Sequence, residues 1–594
     1  MLSLDLSLRE RIVGHLERIY CGPAMAGRGV DVEQVASALL AIMELAADAP
    51  ARPAPVALWD AREIWLITYA DSVLDDAEPP LQTLRTLLDG PLAGMLSGVH
   101  ILPFYPYSSD HGFAVTDYDQ VQPAMGTWTD IRTLTAHYRV MADLVINHCS
   151  SGHPWFRNFC RGAGEGHDYI RVIAEDEDLS QVVRPRTSEV RRPTPTAQGL
   201  APVWCTFSHD QVDLDFRNPA VLCAFARILR QQLSQGIRAF RLDAVAFLWK
   251  ESGTTCLNLP QTHEIVRLLR TLVDAAAPGT LLITETNIPN RENLAYFGNG
   301  DEAHIVYNFS LPPLLLHTLW SGSSQYLTNW LMSMPPAQVG TTFLNFLASH
   351  DGIGLRPAEG LLSTDEIAAL IATAERYGGR VSWRRRGQEN KPYELNIALF
   401  DALRGTHAGA DAWHRDRYLC AHTIMLGLEG IPAFYINSLL AARNDESRFA
   451  RTGKNRSLNR HQWVPGELEA ALADPSSDTA CVLEALRGRI ALRARQPAFH
   501  PDATQFTLHL GDALFGFWRQ SLDRQQRIFC ISNISAHPVA LRLDRLNLSF
   551  TDTWHNLLGE GREYASLADV IALAPYETVW ISNRAAPGPE HKAP

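Results

Sequence analysis

The sequence predicts a parallel (β/α)8 TIM barrel with inserted loop domains and a C-terminal antiparallel β domain. Three observations predict it. Eight short apolar runs alternate with helix-like stretches, at residues 64–70, 98–104, 140–148, 237–245, 281–286, 305–309, 342–350 and 431–436. Apolar strands separated by helices make a parallel sheet covered on both faces. Two of the spacings are too long for a strand–helix unit, and long ordered insertions on a barrel sit over its active face. From residue 495 the pattern turns to short alternating runs such as Leu514–Trp518 and Gln526–Ser532, which read as antiparallel strands.

In chain order, residues 1–57 are expected to form a helical extension. Leu8, Ile12, Leu16 and Ile19 recur at helical spacing, Val32 to Ala47 is a second apolar-rich helical stretch, and the proline-rich run Pro50–Pro55 ends it. The barrel is expected over residues 58–148, 236–351 and 431–494, interrupted by insertions at 149–235 after the third strand and 352–430 after the seventh. Residues 495–594 hold the small β domain and a Pro-rich tail, Ala585–Pro594, expected to be disordered.

Composition narrows the function classes. Of 594 residues, 46% are hydrophobic and 20% charged, so the chain buries a large core without covalent staples. The formal charge of −12 and the lack of a polybasic run argue against nucleic acid as a partner. Nine scattered cysteines without a C-x-x-C pair fit free thiols in a reducing, cytoplasmic setting. No apolar leader or span of 18 residues is present, so no membrane association is expected. No Gly-rich nucleotide loop is found either, and no cofactor is expected.

Reacting groups of a parallel barrel sit at the C-terminal ends of its strands. The polar residues falling there are Asp110 and His111, Asn147 and His148, Arg241 and Asp243, Glu285, and His350 and Asp351. Strand alternation puts Arg241 and Asp243 on one face, where the guanidinium keeps the carboxylate ionised. Taken singly, each has an ordinary explanation: an ion pair that closes the barrel, a helix cap, an Asp-Gly turn. Together, three carboxylates from three strands fit double-displacement chemistry at an anomeric carbon. Asp243 is then the nucleophile, Glu285 the general acid/base, and Asp351 a stabilising carboxylate, with His148 and His350 holding sugar hydroxyls.

Asp143-x-x-x-Asn147-His148, Arg241-x-Asp243, Glu285 and His350-Asp351, in this order, resemble the signature segments of the α-amylase superfamily, glycoside hydrolase family 13. The resemblance spans residues 60 to 580 and implies a retaining α-glucosyl-transferring enzyme. Leu66–Asp71, Gly98–Phe104, Arg241–Val245, Leu311–His317 and Ser349–Gly354 resemble the sucrose-phosphorylase subfamily. Through that resemblance Asp110 and Arg460 are implied to bind the glucosyl unit. Two features depart from sucrose phosphorylases, the longer helical prefix and Glu285-Thr286-Asn287 where a histidine usually follows the glutamate; both, with Tyr393-Glu394, look like glucosylglycerate phosphorylases. The implied reaction is reversible phosphorolysis of 2-O-α-glucosylglycerate. Sucrose, sucrose 6-phosphate or glucosylglycerol phosphorylases, plain hydrolases or transglucosidases, and non-enzymatic partner subunits are the competing readings.

A phosphorylase needs cationic, bidentate donors beside its acceptor site, and inorganic phosphate and a small glucoside are its only expected partners apart from a homodimer mate. Arg184, Arg186, Arg384–Arg386, Arg443, Arg456 and Arg460 are candidates, with Arg384–Arg386 better explained as solvated surface charges. Arg186 is favoured because Arg184-Pro185-Arg186 resembles the family's phosphate loop. Asn147 occupies a position that often ligates calcium in amylases, but this branch generally works without it, so no metal is expected.

Overall fold

The computed structural model describes residues 6–585, except 26, 50–55, 336–337, 387–388, 547, 549–551 and 560–561. The Pro50–Pro55 break and the tail beyond Ala585 therefore lie outside the described residues.

Each of the eight expected runs contributes one strand to a closed parallel barrel: β1 Trp65–Thr68, β2 Gly98–Ile101, β3 Arg139–Val145, β4 Ala239–Asp243, β5 Leu281–Thr284, β6 Ile305–Tyr307, β7 Thr342–Asn345 and β8 Ile431–Tyr435. Neighbours in sequence are neighbours in the sheet, and β8 closes on β1. The strands are shorter than the runs because the chain turns away where the polar residues begin. β1 and β2 pack so closely that a Cβ at Gly98 would lie 2.7 Å from Trp65 Nε1, so only glycine fits there. Register pairs Asp143 with Arg241 and Val145 with Asp243, which sets the site's charged groups side by side.

The extension forms two helices, α1 Leu8–Tyr20 and α2 Val32–Met43. Ser7 and Glu10 close a capping box on α1, and the Asp31 side chain caps α2. Leu8, Ile12, Leu16 and Ile19 are all fully buried. The pair packs on the outer ring of the barrel, α1 against helix Pro260–Ala276 and α2 against Pro219–Ser234. Glu264 of the ring accepts from His15 at 2.5 Å and Arg18 at 2.6 Å, fixing the register of this contact.

Both insertions end earlier than their expected boundaries. Helices Pro219–Ser234 and His414–Gly427 are the ring helices that lead into β4 and β8. The first insertion proper holds a hairpin, Arg191–Thr196 with Gly199–Trp204, and a short ladder of His148–Ser150 with Gln211–Asp213. The second holds strand Ile353–Gly354 paired with Glu389–Asn396, which pairs in turn with Arg380–Arg386. The C-terminal domain is a six-stranded antiparallel sheet with a separate two-stranded one, built on its own apolar core around Phe529, Ile531, Val579 and Ile581.

Candidate active site

A pocket of about 690 Å3, including its mouth, opens at the C-terminal end of the barrel. Asp243 closes β4, Glu285 follows β5, and Asp351 lies beyond β7; all three line it. Arg241 ties the first two together. Its Nη1 donates to Asp243 Oδ1 at 2.9 Å and also to Asp143, while its Nη2 lies 3.6 Å from Glu285 Oε2. Glu285 Oε2 further accepts the amide of Ala244 at 3.2 Å. Asp143, behind the pocket, receives His100 at 2.7 Å. Phe113 and Tyr307 flank the Arg241 guanidinium at 5.7 and 5.6 Å.

Burial raises the Asp243 carboxyl well above its ordinary range; Arg241 opposes this, and Glu285, Asp143 and Asp351 add to it. Burial raises Glu285 as well, again opposed by Arg241 and reinforced by Asp351. Two such neighbours titrate as a pair. Arg241 bonds Asp243 at 2.9 Å and stands 3.6 Å from Glu285, so the guanidinium favours the ionised form more strongly at Asp243 than at Glu285.

On the opposite wall, His350 stacks on Phe113 at 5.3 Å and meets the edge of Tyr69 at 5.8 Å. Burial holds His350 well below the usual histidine range and His148 down to about 4, so both stay neutral near pH 7. Gln211, from the first insertion, donates to Asp110 Oδ2 at 3.1 Å and contacts His148 Nε2 at 3.1 Å. It joins two residues expected at the site to each other. Asp110 itself adopts a left-handed backbone, with φ 53°.

The arginines fall into different classes. Arg186 lines the pocket, lies over the Phe207 ring at 5.4 Å, and makes no ion pair among the described residues. Arg184 does not reach it: its guanidinium is spent on the backbone carbonyls of Ser188, Glu189, Cys205 and Thr206. Arg443 turns outward to Asp401 and Asp478. Arg384 is not a surface charge; it is 3% exposed and paired with Glu359 at 2.6 Å. The side chains of Arg385 and Arg386 lie outside the described residues. Arg456 lines the pocket with its charge already answered by Asp351 and Glu394. Arg460 lies behind Asp351, its Nε donating to the His350 carbonyl at 2.6 Å. Tyr393 lines the pocket; Glu394 does not, and its carboxylate is held by Arg456.

At the position of interest for calcium, Lys250 Nζ donates to Asn147 Oδ1 at 2.7 Å and lies 2.9 Å from Asp213 Oδ2. Among the described residues no group of three His, Cys, Asp or Glu side chains could hold a metal ion. None of the nine cysteines is in a disulfide.

Residues 94–351 match the α-amylase catalytic-domain model. A glucosylglycerate phosphorylase of Allomeiothermus silvanus is 41% identical over 585 residues, covering 98% of this chain and 100% of its own. The chain belongs to the α-amylase family. Within that family it falls among the glycoside phosphorylases. A glucosylglycerate phosphorylase of Escherichia coli is 38% identical over 88% of this chain and 92% of its own. A sucrose phosphorylase of Agrobacterium vitis is 30% identical over 74% of this chain and 88% of its own. The fold is shared with the crystal structure of sucrose 6F-phosphate phosphorylase from Thermoanaerobacter thermosaccharolyticum, with a TM-score of 0.70 over 81% of this chain and 96% of that one, at 24% identity.

Sequence reasoning missed Gln211, Phe113 and Arg356, which also line the pocket. Gln211 carried a signal: Gln211-Val212-Asp213-Leu214-Asp215 alternates polar and apolar residues at the end of the first insertion. Arg356 carried none, standing in a turn with no strand-end pattern before it.

Proposed function

We propose that the chain is a retaining glycoside phosphorylase that converts 2-O-α-glucosylglycerate and phosphate reversibly into α-glucose 1-phosphate and glycerate. The observation that carries the reading is a pocket lined by three carboxylates together with Arg186, whose guanidinium makes no ion pair among the described residues. The degree of identity to glucosylglycerate phosphorylases supports the choice of acceptor.

Asp243, whose ionised form Arg241 favours, attacks the anomeric carbon. Glu285 transfers its proton to the glycosidic oxygen as the bond to glycerate breaks, leaving a glucosyl ester on Asp243. Phosphate then enters, Glu285 takes up its proton, and a phosphate oxygen displaces the ester with overall retention. Asp351 and the neutral His148 and His350 bind sugar hydroxyls and stabilise the developing positive charge. Asp110 supports the glucosyl unit directly, and Arg460, which does not line the pocket, acts on it through Asp351, 3.8 Å away. Arg186 and Tyr393 face the entering phosphate, and Glu394 acts through Arg456. No metal or organic cofactor takes part. The phosphorylase works in the cytoplasm, which its unpaired thiols suit. No described helix is long and apolar enough to cross a membrane.

The test is formation of glucose 1-phosphate from phosphate and, separately, glucosylglycerate, sucrose, sucrose 6-phosphate and glucosylglycerol. Product from glucosylglycerate alone is expected. Product from sucrose keeps the mechanism and replaces the substrate. Free glucose formed at a rate indifferent to phosphate makes the enzyme a hydrolase.

A further inference from the structure

Among the described residues four arginines line the pocket: Arg186, Arg241, Arg356 and Arg456. Arg241 is answered by Asp143 and Asp243, and Arg456 by Asp351 and Glu394. Arg356 is different. It is only 7% exposed, yet among the described residues its guanidinium makes no hydrogen bond or ion pair, and its Nε is buried without a partner. Burial and the nearby Arg384 oppose its charge, while Tyr393, Glu359 and Glu292 favour it from a distance without an ion pair; Glu359 is engaged by Arg384 at 2.6 Å. A buried guanidinium that makes no hydrogen bond or ion pair is poorly compensated for its lost hydration, and an entering anion supplies that compensation. A guanidinium does so through two parallel hydrogen bonds.

The fold mounts this side chain firmly. Strand Ile353–Gly354 pairs with Glu389–Asn396, and the Leu355 amide next to Arg356 donates to the Tyr393 carbonyl at 2.9 Å. Ser310 Oγ holds the Pro357 carbonyl at 3.0 Å on the other side. A Cβ at Gly354 would lie 2.7 Å from Asn287 Oδ1, so this loop lies directly against Asn287. Asn287 stands two residues after Glu285, lines the same pocket, and has a buried Oδ1 that finds no partner among the described residues. The group that protonates the leaving oxygen marks the acceptor side. Arg356 and Asn287 are thus a cation and a hydrogen-bond acceptor, both unsatisfied, on that side.

We propose that Arg356 receives the carboxylate of the acceptor, with Asn287 accepting one of the acceptor's hydroxyls, while Arg186 takes phosphate. The inference rests on the phosphorylase reading above and divides two anionic ligands between two arginines. It makes Arg356 a specificity-determining residue for small hydroxy acids over neutral polyols.

The experiment runs in the synthetic direction, from glucose 1-phosphate to D-glycerate or to glycerol, which lacks only the carboxylate function. In Arg356→Gln the preference for glycerate over glycerol is expected to fall about 10- to 100-fold, the worth of a charged hydrogen-bonded pair. The phosphate KM in phosphorolysis is expected to hold. Arg186→Gln is expected to do the reverse. An unchanged preference in Arg356→Gln, or a phosphate KM that rises in step with that of glycerate, overturns the assignment. Should Arg356→Gln not fold, Arg356→Lys keeps the charge without the fork, and a preference equal to wild type there overturns it equally. Wild-type protein that makes no glucose 1-phosphate from glucosylglycerate removes the phosphorylase reading and this inference together. Wild-type activity with an unaltered variant removes the inference alone.

Discussion

Arg456 Nη1 lies 2.5 Å from Asp351 Oδ1, while the same guanidinium donates to both carboxylate oxygens of Glu394 at 2.9 and 3.0 Å. Asp351 faces the pocket and Glu394 does not. Burial by itself would lower the basicity of Arg456; Asp351 and Glu394 reverse that and hold it well above its ordinary range. Glu394 is therefore a positioning residue for the cation that orients Asp351. Glu394→Gln keeps the shape and loses one charge of the chain. It is expected to lower kcat about 10- to 100-fold, by analogy with other groups that orient a reacting one, with donor KM little changed. A steady-state comparison in which only KM moves would place Glu394 at substrate binding instead.

The division of labour between Asp243 and Glu285 has a chemical readout. Glu285→Gln removes the acid/base, worth about 10²–10⁴-fold in rate, but leaves the nucleophile. A donor with a leaving group that needs no proton, α-glucosyl fluoride, is expected to restore the first half-reaction and let a glucosyl-enzyme accumulate. Intact-protein mass spectrometry would show one added glucosyl unit. Asp243→Asn is expected to form no adduct from either donor. An adduct on Asp243→Asn would move the nucleophile elsewhere.

The barrel was legible because its signal is local. Each strand is an apolar run of a few residues that ends where a chemically useful side chain begins, as Leu242 gives way to Asp243 and Thr284 to Glu285. The surroundings of those carboxylates were not legible, because they are built from pairings distant in sequence. Glu394 and Arg456 are 62 residues apart and Asp110 and Gln211 are 101 apart. Nothing in a local pattern separates Arg456, which orients a carboxylate, from Arg443, which faces solvent. Arg356 illustrates the limit: its significance lies in what it does not touch, and that is a property of the folded loop. The ring helices Pro219–Ser234 and His414–Gly427 were absorbed into the insertions because nothing in helical spacing says which layer a helix joins.

The carboxylate pair should also destabilise the fold near neutral pH. Burial raises the folded-state value of Glu285 above its unfolded 4.5. Such a group contributes its full stabilisation below about pH 4.5, while protonated, and loses it as pH rises through the folded value. A neutral glutamine at 285 carries no such dependence. The melting temperature of Glu285→Gln is expected to exceed that of wild type at pH 8, and the gap to be smaller at pH 5. The sign follows from the direction of the shift alone. A gap that narrows from pH 5 to pH 8 would mean that the carboxylate is stabilised in the folded state. The proton needed for leaving-group departure would then have to come from another group.

Lys250 makes a separate case, because it fills a charged site without contacting the pocket. Its ammonium bridges Asn147 and Asp213, and both it and Asp213 are buried. Asp213 also accepts the Thr206 amide at 2.8 Å and its hydroxyl at 2.6 Å, and Asn147 Nδ2 at 3.1 Å. This cluster ties the first insertion to the strand end that carries His148. Lys250→Met leaves Asp213 buried without its cation and is expected to cost about 3–5 kcal/mol in denaturant unfolding. Lys250→Met with Asp213→Asn removes the orphaned charge and is expected to recover part of the loss. Full additivity of the two losses would show that the residues do not act on each other. A resident ammonium at this place also leads us to expect wild-type activity to survive exhaustive chelation with EDTA. Activity lost to EDTA and restored by calcium would show that a metal, rather than Lys250, holds the insertion against the barrel.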